Sequence, residues 1–90
     1  MLVTLKEILK MAEENKCAIG SFNTPNMTSA QAVIAAAEEL QRPVILMHAQ
    51  VHEEMGLCKM EDITPVMLHF AKKASVPVCV HLDHGTDLDY

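Results

Sequence analysis

Two apolar runs led by proline, Pro43-Val44-Ile45-Leu46 and Pro77-Val78-Cys79-Val80, lie about 34 residues apart, and each follows a stretch with apolar residues at helical spacing. Consecutive apolar, β-branched residues without polar alternation describe strands covered on both faces, the habit of parallel sheets. Proline is tolerated at the first residue of such a strand. A strand-to-strand interval of this size is that of a βαβ unit with a crossover helix. It also suits a helical solenoid, but strand-like runs alternating with helices argue against one.

The remaining elements fit this frame. Thr4-Leu5-Lys6-Glu7 has capping-box form, and Leu5, Ile8, Leu9 and Ala12 then recur on one face, which predicts a helix to about Glu14 or Asn15. Cys17 to Phe22 is short and apolar and runs into the turn-formers Asn23-Thr24-Pro25-Asn26, so it reads as the first strand. Thr28-Ser29-Ala30-Gln31 repeats the capping pattern, and Ala30, Val33, Ile34, Ala37 and Leu40 form the buried stripe of a second helix that ends before Pro43. Pro43 to His48 is the second strand. Ala49 to Met60 has no clear period and reads as a loop with at most a helical turn. A third helix opens near Asp62 to Pro65 and turns Ile63, Val66, Met67, Phe70, Ala71 and Ala74 inward, with Lys72 and Lys73 at the negative end of its dipole. Val76 to Leu82 is the third strand. The expectation is a helix followed by a parallel β-α-β-α-β α/β unit.

Composition narrows the class. Half the chain is hydrophobic and only 3% is aromatic, so the core must be aliphatic, drawn from Val, Ile, Leu, Ala and seven Met. A formal charge of -5 with few, scattered Lys and Arg offers no footprint for nucleic acid or an anionic membrane. No apolar run approaches the roughly 20 residues of a membrane helix, and no leader pattern opens the chain, so a cytoplasmic location is expected. The three cysteines, Cys17, Cys58 and Cys79, are odd in number and widely spaced, which reads as reduced core thiols.

In parallel α/β folds, chemistry collects at the C-terminal ends of the strands. Three such ends occur: Ser21-Phe22-Asn23, Met47-His48-Ala49-Gln50 and His81-Leu82-Asp83-His84-Gly85. Asp83 and His84 are adjacent, but Gly85 frees the backbone to bring both to one cavity. A neutral imidazole suits Zn²⁺, and a neighbouring carboxyl suits proton transfer. Residue chemistry alone leaves open that Asp83 caps a helix and His84 is a solvated loop residue. His81 shares the strand parity of Asp83 and reads as a hydrogen-bonded interior histidine that supports the site from behind. His48 and His52 are four apart, a ligand spacing only on a helix, whereas the run before His48 reads as strand; joint ligation is not expected. His52-Glu53-Glu54 lacks the second His of a zincin and reads as a solvated charged face. His69 reads as a surface or packing residue. Asn23 and Asn26 flank Pro25, with turn formation and substrate hydrogen bonding both open.

Taken together, Val80-His81-Leu82-Asp83-His84-Gly85, Ala18-Ile19-Gly20-Ser21-Phe22-Asn23, and Gln31-Ala32 to Glu38-Glu39 followed by Arg42-Pro43-Val44-Ile45-Leu46 resemble the class II, zinc-dependent ketose-bisphosphate aldolases, the group of fructose- and tagatose-bisphosphate aldolases. The resemblance covers essentially the whole chain in the expected order. It implies that residues 1–90 are the N-terminal part of a single (β/α)₈ TIM barrel, its first three strands with a short helix before them. It further implies that Asp83 is the proton donor and acceptor at the aldehyde-side oxygen, that His84 is a zinc ligand, and that Asn23 lies near substrate. The substrates implied are a ketose 1,6-bisphosphate, dihydroxyacetone phosphate and an aldehyde such as glyceraldehyde 3-phosphate, handled by a homo-oligomeric enzyme, dimer or tetramer. Ala49 departs from the pattern, since the family usually has Ser or Thr there and a hydroxyl contact to substrate is lost.

A barrel takes about 250 residues, and one His does not hold a catalytic zinc, so the ninety-residue chain alone is expected to be inactive. Two other readings stand beside this one: a non-enzymatic half-barrel that self-associates over its open sheet edges, and a small metal-binding protein using His48, His52, His81 and His84.

Overall fold

A computed structural model describes residues 1–90. The elements run α1 (Leu5–Glu14), β1 (Ser21–Asn23), α2 (Met27–Leu40), β2 (Val44–His48), α3 (Gln50–Glu54), α4 (Met60–Lys73) and β3 (Val78–Leu82). The strands form one parallel sheet in the order β1-β2-β3, with Asn23 level with Met47 and Met47 level with His81.

Each face of that sheet has its own cover. Val44, Leu46 and Val78 turn toward α2 and α4 and meet Ile34, Ala37, Ile63, Met67 and Ala71 in the main core. Leu46 and Val78 are wholly buried there. The alternate strand residues Ile45 and Cys79 face the other way and meet Ile8 of α1 in a smaller cluster. This two-sided burial is why the runs lack polar alternation. Thr24, fully buried just after β1, donates its amide to Met47 O at 3.1 Å and its hydroxyl to Met67 Sδ at 3.1 Å.

The helix ends follow their local chemistry. Thr4 Oγ1 accepts the Glu7 amide at 3.1 Å, as the capping pattern requires. α1 and α2 each end on a residue in the left-handed region, Lys16 (φ 51°) and Gln41 (φ 54°), after which the amides of Cys17 and Arg42 close on the carbonyls of Ala12 and Ala37.

Several boundaries differ from the sequence reading. β1 begins at Ser21, not Cys17: of the stretch before it only Gly20 reaches β2, its carbonyl accepting the Ile45 amide at 2.9 Å. α2 is capped by Asn26, whose side chain accepts the Ser29 amide at 2.8 Å, and not by Thr28. Leu40, expected on the buried stripe, is 69% exposed. The segment after β2 contains a true short helix, α3. α4 opens at Met60, so Pro65 falls in its second turn, on the exposed side of the helix, and has no amide to donate to the Glu61 carbonyl.

An apolar groove of about 900 Å³ runs beside β1, lined by Met11, Ile19, Phe22, Val33 and Leu40 among others. It lies toward the N-terminal ends of the strands, away from the polar strand tips.

Candidate active site

The ladder between β2 and β3 continues one step past the strand: the Asp83 amide donates to His48 O at 2.7 Å. Asp83 therefore keeps strand alternation and shares the face of Cys79 and His81. Parallel neighbours in register share a face, so Asn23, Met47 and His81 form a row across the sheet, with Asp83 one step nearer its C-terminal edge. The expected site residues Asn23, His81 and Asp83 thus lie together on one face, and His84 follows at the rim.

Asp83 and His84 sit close: His84 Nε2 is 3.6 Å from Asp83 Oδ2, with the imidazole 87% and the carboxylate 36% exposed. His81 is half-buried, and Asn23 is exposed. Asn26, by contrast, is spent on capping α2.

The loop bearing Asp83 and His84 is fastened by a residue the sequence reading did not single out. Gln50, first residue of α3, donates its amide to His84 O at 2.9 Å. Its side-chain Oε1 accepts from the amides of Thr86 at 2.7 Å and Asp87 at 3.1 Å and from the Thr86 hydroxyl at 3.2 Å. A lone Gln after a strand gives no signal in sequence for such a role.

On the opposite face of the sheet lies a second polar cluster. His48 and His52 are both buried, which corrects the expectation that His52 belongs to a solvated face. His48 ends β2 on the Val44–Leu46 face, and α3 folds back so that His52 meets it with ring centroids 5.4 Å apart. Cys58 Sγ is 3.7 Å from His48 Nδ1, and His52 Nδ1 faces the Ala49 amide at 3.4 Å. The ligand atoms of His48, His52 and Cys58 all lie within 4.8 Å of one another. Tyr90 OH donates to Glu53 Oε2 at 2.6 Å and is 2.7 Å from His48 Nε2. Burial, then His52, lowers the His48 pKa, and burial with the Glu53 hydrogen bond pushes Tyr90 up to about 12.

Residues 3–90 match the family model of fructose-bisphosphate aldolase class-II. The chain belongs to the class II fructose-bisphosphate aldolase family. Among this family's members, it is 42% identical over 89 residues to a fructose-bisphosphate aldolase of Thermus caldophilus, a match covering 99% of this chain and 28% of that one. It is 41% identical over 90 residues to a 6-phospho-5-dehydro-2-deoxy-D-gluconate aldolase of Halalkalibacterium halodurans, covering 98% and 31%. The crystal structure of the YdjI aldolase from Escherichia coli K12 superposes with a TM-score of 0.86 at 35% identity, covering 99% of this chain and 34% of that one. The chain therefore spans about a third or less of the aldolases it matches. The α/β fold expected from sequence is observed, and no helix is long and apolar enough to cross a membrane.

Proposed function

We propose that residues 1–90 are the N-terminal part of one class II aldolase barrel and supply one wall of its active site. The barrel's reaction is the cleavage or formation of a ketose 1,6-bisphosphate, of fructose or tagatose type, from dihydroxyacetone phosphate and an aldehyde such as glyceraldehyde 3-phosphate. The observation that carries this reading is the placement of Asn23, His81 and Asp83 on one face of the strands' C-terminal edge, with His84 beside Asp83. The likeness to a 6-phospho-5-dehydro-2-deoxy-D-gluconate aldolase keeps other phosphorylated sugars within the same chemistry.

In this reading Asp83 moves a proton at the aldehyde-side oxygen, where its half-exposed carboxylate meets substrate and solvent. Asn23 hydrogen-bonds substrate, and His81, half-buried behind Asp83, sets the orientation of the site from the next layer down. His84 fits one position of a zinc site, being an exposed imidazole at the strand mouth next to a carboxylate. One imidazole does not hold a catalytic ion, so the other ligands belong to parts of the barrel outside this segment. Bound there, Zn²⁺ supplies Lewis-acid polarisation of the substrate carbonyl. The enzyme is cytoplasmic and homo-oligomeric, and the ninety-residue chain by itself has no turnover.

Two substitutions in the intact protein carrying this segment test the reading. Asp83→Ala is expected to abolish turnover with zinc retained, and His84→Ala to lose the catalytic zinc. Full activity in either variant counts against the assignment.

A further inference from the structure

We propose that His48, His52 and Cys58 form a separate thiolate–imidazole metal site for a zinc-like divalent ion on the helix-covered face of the sheet. The sheet itself separates this cluster from Asp83: His48 shares the face of Val44 and Leu46, whereas Asp83 shares that of Cys79 and His81. The proposal therefore stands or falls independently of the role given to His84.

Hydrogen bonding decides which nitrogen of His48 is free. Tyr90 donates its only proton to Glu53, so the phenol oxygen accepts from His48 and the imidazole proton sits on Nε2. The Nδ1 lone pair then faces Cys58 Sγ, 3.7 Å away. Two ligands at zinc bond lengths of about 2.0 to 2.3 Å and a tetrahedral angle lie about 3.6 Å apart, so this pair already has the spacing of one edge of a site. The chain from His48 through Tyr90 to Glu53 is what a ligating histidine needs on its other nitrogen, a carboxylate-anchored acceptor that fixes tautomer and ring.

His52 supplies the third ligand. Its 3.4 Å contact with the Ala49 amide is long and is the contact a metal replaces. The widest ligand separation, within 4.8 Å, must shorten by roughly an ångström to reach tetrahedral spacing. Gly56, at φ +74° with open space around it, lies between His52 and Cys58 and gives that segment room to close. Two imidazoles and a thiolate select Zn²⁺ or Co²⁺ over Mg²⁺ or Ca²⁺, which take oxygen ligands. On binding, the Cys58 S–H bond breaks, its proton leaves to solvent, and sulfur and both imidazoles donate electron pairs to the ion. The thiolate and the neighbouring Glu53 carboxylate balance the dipositive charge. Such an ion would clamp α3 and the end of the α3–α4 loop onto the tip of β2.

The test is titration of the metal-free intact protein with Co²⁺ alone, followed by absorbance and ion counting. The expected result is a near-ultraviolet thiolate-to-cobalt charge-transfer band that Zn²⁺ bleaches, that His84→Ala retains and that Cys58→Ser loses together with one bound ion. Absence of the band in the parent protein, or its persistence in Cys58→Ser, overturns the proposal. Should Cys58→Ser fail to fold by circular dichroism, His52→Gln decides: it keeps the thiolate and is expected to weaken cobalt binding about tenfold or more. Unchanged affinity in His52→Gln also overturns it.

Discussion

The side-chain oxygen of Gln50 accepts both the amide of Thr86, at 2.7 Å, and its hydroxyl, at 3.2 Å, so the first residue of α3 holds the loop that carries Asp83 and His84. The Gln50 amide reaches His84 O from the same turn, which ties the loop at two levels. Misplacement of a reacting group by about an ångström can cost as much as 10²-fold in rate. Gln50→Ala in the intact enzyme is therefore expected to lower kcat by about ten- to a hundred-fold with zinc content retained. Gln50→Glu, which keeps the acceptor oxygen, is expected to recover most of that loss. Steady-state kinetics check both; an unchanged kcat in Gln50→Ala would show that the loop holds itself.

Leu46 is wholly buried at the centre of β2, in the core shared with α2 and α4. Truncation there removes apolar contact and leaves a cavity that close-packed neighbours fill only in part. Leu46→Ala is expected to cost about 2 to 5 kcal/mol, read as a lowered denaturant midpoint at unchanged m-value.

Glu38 joins α2 to the turn before β3, accepting the Ser75 amide at 3.0 Å and hydroxyl at 2.9 Å. The Ser75 backbone bond first, then its hydroxyl, lowers the Glu38 pKa from its usual 4.5. A carboxylate whose folded pKa is depressed adds stability that is present above its unfolded pKa and is lost as pH falls through the folded value. Thermal melts between neutral and acid pH are thus expected to show a loss of stability below about pH 4.5 that is smaller in Glu38→Gln. Equal acid sensitivity in both proteins would remove Glu38 as a contributor.

In the order β1-β2-β3, β1 presents an open outward edge, the outer edge of β3 is covered at Val78 by Met1 to Val3, and Phe22 on β1 is 49% exposed beside the apolar groove. Open edges and apolar surface of this kind template association. The isolated ninety-residue chain is expected to sediment as oligomers, and Phe22→Lys to shift it toward monomer. A monodisperse monomer without the substitution would contradict this.

The sequence alone determined the parallel α/β frame and the place of its chemistry. Unbroken apolar runs such as Val44-Ile45-Leu46 and Val78-Cys79-Val80 have no other economical burial than between two layers, and a polar tip such as Asp83-His84 after such a run has nowhere to go but the strand mouth. The helix after β2 was not legible, because five residues, Gln50–Glu54, are too few to show a 3.6-residue period. Tertiary structure alone decided which residues meet across elements. His48 and His52 looked mismatched in sequence because one ends a strand; the turn at Ala49 folds α3 back over that strand and buries both beside Cys58. Gln50 gained its hold on Thr86 in the same way, from the parallel register that sets the tip of β3 against the tip of β2. Periodicity reports which face a residue takes, whereas contact between faces of different elements depends on how those elements pack, and no spacing along the chain records that.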